Sequence, residues 1–377
     1  MSTEKFQFFR IGSEIHRTRV LGFETRTRRE KVFSKIAQST LSFGEGLAIT
    51  MVIPTVGCTW ALSKSGGCSM CGYINDSTLD ENTNPEYFFD IEWQKLQQDP
   101  KFKEVVAVKL YNSGSFLDPK EIPVESQKSI VRKIAQFNHI KEFIIECLPE
   151  IINKQIEVLQ ELIHIFTNRP IYIGVGLEST NTYVLRSYVN KPFTFENQFL
   201  KCVQNTERIG AHVKAYILLK PPFLTEQEAM DDSINSIRDT FEKTDCKIIS
   251  LNPVCIHADT MVDLLWKKQE FSPPWLWSVI EVLKRSQKFI PDGGKLICEV
   301  MAGGLERGPH NCGQCDSRVL KEIEYFSLNQ RFSPAIEMLS CDCKSDWEFY
   351  CNQERFLART TPFISHKMTI KGSLQQI

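Results

Sequence analysis

From residue 46 onward, short β-rich apolar runs alternate with longer stretches whose apolar residues recur at helical spacing. The runs at 47–54, 105–111, 143–147, 171–175, 213–219 and 248–251 predict strands. The stretches at 91–98, 126–137, 152–166, 196–208 and 226–243 predict helices between them. Strands alternating with helices imply a parallel sheet, because a parallel neighbour is reached only by a crossover that a helix commonly fills. The spacing suits a closed or partial (β/α) barrel, with a doubly wound open sheet as the alternative. After about residue 288 the alternation stops, so the pattern divides the chain into an extension at 1–43, a barrel at 44–290 and a small module at 291–377.

Five of the six predicted strands run into a cluster of polar, Gly or Cys residues. These are Gly57-Cys58, then Asn112-Ser113-Gly114-Ser115, Glu146-Cys147, Gly176-Leu177-Glu178-Ser179 and Asn252-Pro253. The remaining strand ends in Lys220-Pro221-Pro222, whose prolines fix an extended turn. In parallel α/β folds the carboxyl ends of the strands carry the active site, so these clusters are expected at one mouth.

Composition narrows the class without naming it. With 42% apolar and 24% charged residues, the chain of 377 residues is an ordinary globular one, neither collagen-like, coiled-coil nor disordered. Its 45 Lys and Arg against 46 Asp and Glu give no overall attraction to nucleic acid. A local one is present: from Lys5 to Lys35 there are nine basic residues against Glu14, Glu24 and Glu30. That arm, densest at Arg26, Arg28, Arg29 and Lys31, reads as a solvated face or as a phosphate-contacting segment. The tail adds Arg355, Arg359, Lys367 and Lys371 against Glu354. No apolar run approaches the ~18 residues of a membrane span, and the first residues lack the apolar core of a signal peptide. A cytoplasmic protein without membrane contact is therefore expected, and in that compartment its 13 cysteines stay reduced.

Clustered reduced thiols point to metal. Cys58, Cys68 and Cys71 lie on a Gly-rich loop after the first predicted strand, spaced C-x9-C-x2-C. Three thiolates can hold three irons of a [4Fe–4S] cube and leave the fourth open to a substrate. A zinc ion with a fourth ligand from elsewhere is the alternative. A second group, Cys312-Gly-Gln-Cys315 with Cys341-Asp-Cys343, suits tetrahedral zinc, with a second iron–sulfur cluster as the alternative; His257, His310 or Cys351 could replace one of its ligands. Cys147, Cys202, Cys246, Cys255 and Cys298 read as small buried residues. Pro273-Pro274-Trp275-Leu276-Trp277 reads as core or as a docking patch.

The first loop resembles that of radical S-adenosylmethionine (radical SAM) enzymes, in the wide-spaced form of the Elongator catalytic subunit. More narrowly, the chain resembles the radical SAM subunit of archaeosine synthase. The matching strings are CTWALSKSGGCSMCGY, LYNSGSFLDP, ECLPE, GVGLEST, YVNKPF, AYILLKPPFLTEQEA, LNPVCIH, PPWLWS and HNCGQC, in order across residues 58–315. The resemblance implies a partial (β/α)6 radical SAM barrel, a [4Fe–4S] cluster on Cys58, Cys68 and Cys71, and SAM on its open iron. Asn112, Ser113, Gly114 and Ser115 would meet the methionine amino group. Glu146 and Glu178 are candidates for the ribose hydroxyls or the same amino group, and Tyr73 for the adenine. Lys191, Lys220, Asn252 and His257 are candidates for the substrate.

The implied reaction removes a hydrogen from the ε-carbon of a lysine attached to a 7-deazaguanine at position 15 of tRNA, in its D-arm. The C–N bond breaks, archaeosine remains, and the lysine carbons leave as an aldehyde. A C–H bond beside nitrogen is beyond side-chain bases near pH 7, whose tuning spans a few pKa units, so a carbon radical suits it. Implied partners are the lysine-transferring subunit and reduced ferredoxin or flavodoxin. The rival functions are another radical SAM tRNA-modifying enzyme, or a zinc-bound RNA-binding protein without catalysis.

Overall fold

The structure is a computed structural model that describes Ile15 and residues 31–360, with the backbone alone for 354–360. The arm residues Arg17 to Arg29 and the tail residues Lys367 and Lys371 lie outside the described residues, as do the side chains of Arg355 and Arg359.

Eight strands form one sheet in chain order: β1 (Phe33–Leu41), β2 (Gly44–Val52), β3 (Val105–Tyr111), β4 (Glu142–Glu146), β5 (Ile171–Glu178), β6 (His212–Leu219), β7 (Ile248–Pro253) and β8 (Lys295–Cys298). All six predicted strands are present, as β2 to β7. Neighbours from β2 to β8 pair in parallel, while β1 and β2 form an antiparallel hairpin. The hairpin strand and β8 were not anticipated. The first alternates polar and apolar residues within the basic extension, and the second is four residues long inside the cysteine-rich segment. Both are sheet margins, where few flanking residues carry a pattern.

The helices fall where predicted. They are α1 (Pro85–Gln97), α2 (Val124–Ala135), α3 (Pro149–Lys154), α4 (Ile156–Ile165), α5 (Leu200–Arg208) and α6 (Glu226–Lys243). The predicted helix 152–166 is two helices, broken at Gln155, where φ of −106° and ψ of 25° leave the helical basin. Later come α7 (Leu276–Ser286), α8 (Asp316–Asn329) and α9 (Asp342–Thr360), besides shorter helices at Thr59–Leu62 and Met261–Lys267. At the start of α6 the Thr225 hydroxyl and Glu228 carboxylate close a reciprocal cap, so the turn after β6 ends at a fixed point.

Strand parity separates two faces. Outward residues such as Val108, Leu110, Phe143, Ile145, Ile173 and Val175 are fully buried beneath the helices and form the main core. Inward residues include Ala48, Ala107, Ile144 and Tyr172, which form a smaller cluster. The sheet curls: Lys109 on β3 reaches Glu299, just beyond β8, at 3.4 Å across the interior. It is an eight-strand half-barrel, open between β1 and β8 among the described pairings. The turn between β1 and β2 closes its lower end. There the Ser42 hydroxyl donates to Glu142 at 2.5 Å, and Lys295 donates to the Leu41 carbonyl at 3.1 Å.

Trp277 is 3% exposed, and its indole N–H donates to the Cys343 sulfur at 3.3 Å. The Pro-Pro-Trp-Leu-Trp stretch is thus core that joins α7 to the second cysteine group, rather than an exposed patch. Among the described residues no helix is long and apolar enough to cross a membrane.

Candidate active site at the barrel mouth

The cysteine loop leaves β2 and folds back over the carboxyl ends of the strands. Gly66 and Gly67 both have positive φ, +70° and +79°, which lets the chain double back between Cys58 and Cys68. Three neighbouring loops clamp it. Thr59 donates to Asp118 after β3 at 2.9 Å. Trp60 donates its indole N–H to the Asn190 carbonyl at 2.8 Å, and the Asn190 amide donates back to the carbonyls of Ser65 and Gly67 at 2.8 and 2.7 Å. The Gly72 amide donates to His257 Nδ1 at 3.0 Å, and a Cβ at Gly72 would run into that ring. The thiols are therefore held by the fold rather than by each other.

Cys58, Cys68 and Cys71 are all partly exposed and free of disulfides. Burial pushes the Cys58 thiol well up, and Glu121, Cys71 and Cys68 add to it, so the charges of the three thiols and this acid are mutually felt. Among the described residues, these thiols do not gather with any His, Asp or Glu into a group within 4.8 Å, as a single tetrahedral ion would require. A cube with three protein corners spaces its thiolates more widely, and the donor set fits that group.

The segment after β3 is built around a residue the sequence reading overlooked. Glu121 accepts from the Asn112 side-chain amide at 2.7 Å and from the Ser115 backbone N–H at 2.9 Å. A Cβ at Gly114 would collide with that carboxylate, so the close turn needs glycine. Burial pushes Glu121 up to about 8. Held this way, Asn112 Oδ1 and Ser113 Oγ are buried without a partner. Such atoms are costly unless a ligand meets them, and an acceptor beside a hydroxyl suits an ammonium group.

Glu178 and Lys191 form a buried ion pair at 2.9 Å, with side chains 9% and 7% exposed. Burial alone would discharge Lys191, but the Cys68 and Glu178 charges outweigh it and push its pKa up. The pair thus places a cation beside the cluster loop. Glu146 points into the interior, accepts from the Tyr216 hydroxyl, and is pushed up to about 7 by burial. Gly174 makes room for that pair, since a Cβ there would strike the Tyr216 hydroxyl.

Of the remaining candidates, Tyr73 and His257 meet, while Asn252 and Lys220 are engaged elsewhere. Tyr73 is 42% exposed and meets the His257 ring edge-on, with centroids 5.0 Å apart. His257 Nε2 lies 3.1 Å from the Cys255 sulfur. Cys255 is thus a half-exposed neighbour of the mouth, unlike Cys147, Cys202, Cys246 and Cys298, which are buried. Asn252 accepts from Ser250 at 2.9 Å. Lys220 is 4% exposed and paired with buried Glu226 at 2.6 Å, so it is engaged inside the protein.

The second cysteine group is compact. Cys312, Cys315, Cys341 and Cys343 lie within 4.8 Å of one another, with Sγ separations of 3.5 Å for Cys312 and Cys341 and 3.6 Å for Cys315 and Cys343. Zn–S bonds of about 2.3 Å in a tetrahedron put sulfurs about 3.8 Å apart, so one ion fits. The Asn311 amide and Trp277 indole donate N–H groups to Cys315 and Cys343, at 3.3 Å each. His310 Nδ1 instead faces the Gly308 carbonyl at 2.8 Å.

Comparison with known proteins gives the lineage. No family model matches the chain. Among solved structures, a queuine lyase from Clostridium spiroforme bound to SAM and queuine aligns with a TM-score of 0.42 at 18% identity, over 60% of this chain and 82% of that one. The archaeal Elp3 of Methanocaldococcus infernus aligns with a TM-score of 0.47 at 16% identity, over 66% and 62%. Among curated proteins, archaeosine synthase subunit beta of Thermococcus kodakarensis is 33% identical over 81% of this chain and 91% of its own length. The same subunit of Methanosarcina acetivorans is 34% identical over 309 residues, 82% of this chain and 86% of its own length. With a clamped three-thiol loop at the mouth of a half-barrel and relatives at this identity over most of both chains, the protein belongs to the archaeosine synthase subunit beta family.

Proposed function

We propose that the protein is a radical SAM lyase that cleaves the C–N bond of a lysine-modified 7-deazaguanine at position 15 of tRNA, leaving archaeosine. The observation that carries this reading is the cysteine loop, clamped at the mouth directly beside the unpartnered Asn112 and Ser113 atoms. Cys58, Cys68 and Cys71 would hold a [4Fe–4S] cluster. With SAM it supplies a 5′-deoxyadenosyl radical, and reduction of SAM to methionine and 5′-deoxyadenosine matches the two-electron oxidation of the lysine carbon, which leaves as an aldehyde after water adds.

The chain's own groups bind and orient. Asn112 Oδ1 accepts from the ammonium of SAM, and Glu121 keeps that amide turned toward it. Lys191, kept charged by Glu178 and by Cys68, stands as the cation beside Cys68 and Cys71. Glu146, which accepts from Tyr216 in the interior below, would take the ribose hydroxyls. The second cysteine group would hold a structural zinc that pins the end of α7 to α8 and α9. The lysine-transferring subunit prepares the substrate, and reduced ferredoxin or flavodoxin supplies electrons.

The test is anaerobic reconstitution with iron and sulfide, then SAM, dithionite and lysine-bearing tRNA. The expected result is 5′-deoxyadenosine and archaeosine in equal amounts, both abolished in Cys58→Ala/Cys68→Ala/Cys71→Ala. No 5′-deoxyadenosine from the wild-type protein defeats the reading.

A further inference from the structure

The inward face of β6 carries Lys214 below Tyr216, at the same parity. Lys214 is 7% exposed. Its ammonium makes no hydrogen bond or ion pair with any described residue. It lies over the face of the Tyr216 ring, whose centroid is 5.5 Å away. The other buried lysines of the barrel are all paired: Lys109 with Glu299, Lys191 with Glu178 and Lys220 with Glu226. A buried cation without a partner is costly, and the half-barrel interior is where a ligand would enter. Among the described residues, Lys214 is therefore the buried barrel lysine without a direct ion-pair partner.

The surroundings narrow what that partner is. Lys214 feels Glu299 most strongly among neighbouring charges, ahead of Lys109, Glu146 and Glu142. Glu299 is shared with Lys109 through one oxygen at 3.4 Å, and its side chain is 54% exposed, so it can take a second donor. Burial pulls the Lys214 pKa down, and an ammonium without a direct ion pair thus stands near a carboxylate with a free oxygen, the complement of a zwitterion. Ile144 on β4 and Ile297 on β8 face the same interior and line a small cavity with Lys214. Asn112 and Ser113, assigned to the SAM ammonium, lie at the end of β3. Lys109, which lies beside Glu299, is three residues deeper on the same strand.

We infer that Lys214 receives the α-carboxylate of the amino-acid arm carried by the modified base, with Glu299 facing that arm's α-ammonium. This rests on the reading that the base carries lysine. It makes Lys214 a specificity-determining residue: the arm is seized at its far end, which sets the depth at which its ε-carbon lies. SAM also ends in an α-amino acid, so the carboxylate has two sources that the experiment must separate.

Dissociation constants are measured for two tRNAs, one with the base conjugated to lysine and one conjugated to cadaverine, which lacks only the α-carboxylate. Wild-type protein is expected to favour the lysine form at least tenfold. Lys214→Met binds both at the cadaverine level, Lys214→Arg keeps most of the preference, and SAM affinity stays within twofold in each. A preference that survives in Lys214→Met, or is absent from the wild type, overturns the assignment. Loss of SAM affinity with the preference intact gives Lys214 to SAM instead. If Lys214→Met fails to fold, Glu299→Gln decides. It should lose discrimination against a 6-aminohexanoate arm, which lacks the α-ammonium, and retained discrimination counts against the inference. Failure of the proposed function shows separately, as absent 5′-deoxyadenosine from wild-type protein on lysine-bearing tRNA.

Discussion

At the scale of single residues, the mouth is organised by side chains that position others. Glu121 lies against the start of the cysteine loop and fixes Asn112 and Ser115 together. Hydrogen bonds to a charged group contribute about 1.5–3 kcal/mol. Glu121→Ala should therefore weaken SAM binding about tenfold or more while leaving the iron content of reconstituted protein unchanged; equal SAM affinity would show that Asn112 needs no such support. The cysteines and the Asn-Ser-Gly-Ser string were legible in the sequence because special residue types clustered after a strand. Glu121, Asn190 and Tyr216 were not, because an acid, an amide and a phenol far along the chain carry no local signature. Lys109 and Lys214 had a signal that went unused: each interrupts a strand that is otherwise apolar on both faces.

At the scale of elements, two tethers carry predictions. The loop after β5 is held to α6 through Ser179, which donates to Asp232 at 2.9 Å. Burial pushes Asp232 up from 3.8 to about 7, and its Oδ2 has no partner. Its folded-state pKa lies above its unfolded one, so folding favours the protonated form. Stability is full below about pH 4 and falls as the pH rises toward 7. Asp232→Asn should accordingly leave the melting temperature unchanged at pH 4 and raise it above pH 7. The gain is at most about 4 kcal/mol, since each pKa step is about 1.4 kcal/mol. A thermal-melt series across that range checks this, and a difference constant with pH would refute it. The second tether is the cysteine group that joins α7, α8 and α9. Cys315→Ala should lose one equivalent of zinc by metal analysis and lower the melting temperature, with the visible iron–sulfur absorbance retained. Loss of that absorbance would mean that the two metal sites are not separate.

At the scale of the whole molecule, the near-zero net charge conceals an uneven distribution, with a basic arm before the sheet and a basic tail after α9. If these segments bind tRNA phosphates, affinity should fall steeply with salt, on the order of a decade or more between 50 and 200 mM. A chain beginning at residue 31 should show a shallower slope in the same filter-binding titration. A flat response in the full chain would place tRNA recognition elsewhere. The turn of β1 closes the lower end, and Ile15, the described residue of the arm, packs in a cluster that includes Cys68 and Met70.

The periodicity of apolar residues was enough to specify six strands, their helices and the parallel sheet, because each element repeats its pattern over many residues. The cysteine spacings were likewise enough to name two metal-binding groups. Pairings between distant residues came from the folded chain alone: Lys109 with Glu299, Asn190 with the loop of Cys68, and Lys214 without a direct ion pair among the described residues. Such contacts join residues 100 or more apart, or depend on one being absent, and a linear sequence has no period at that distance. They arise when a twisted sheet curls and brings strand faces of one parity around a shared interior.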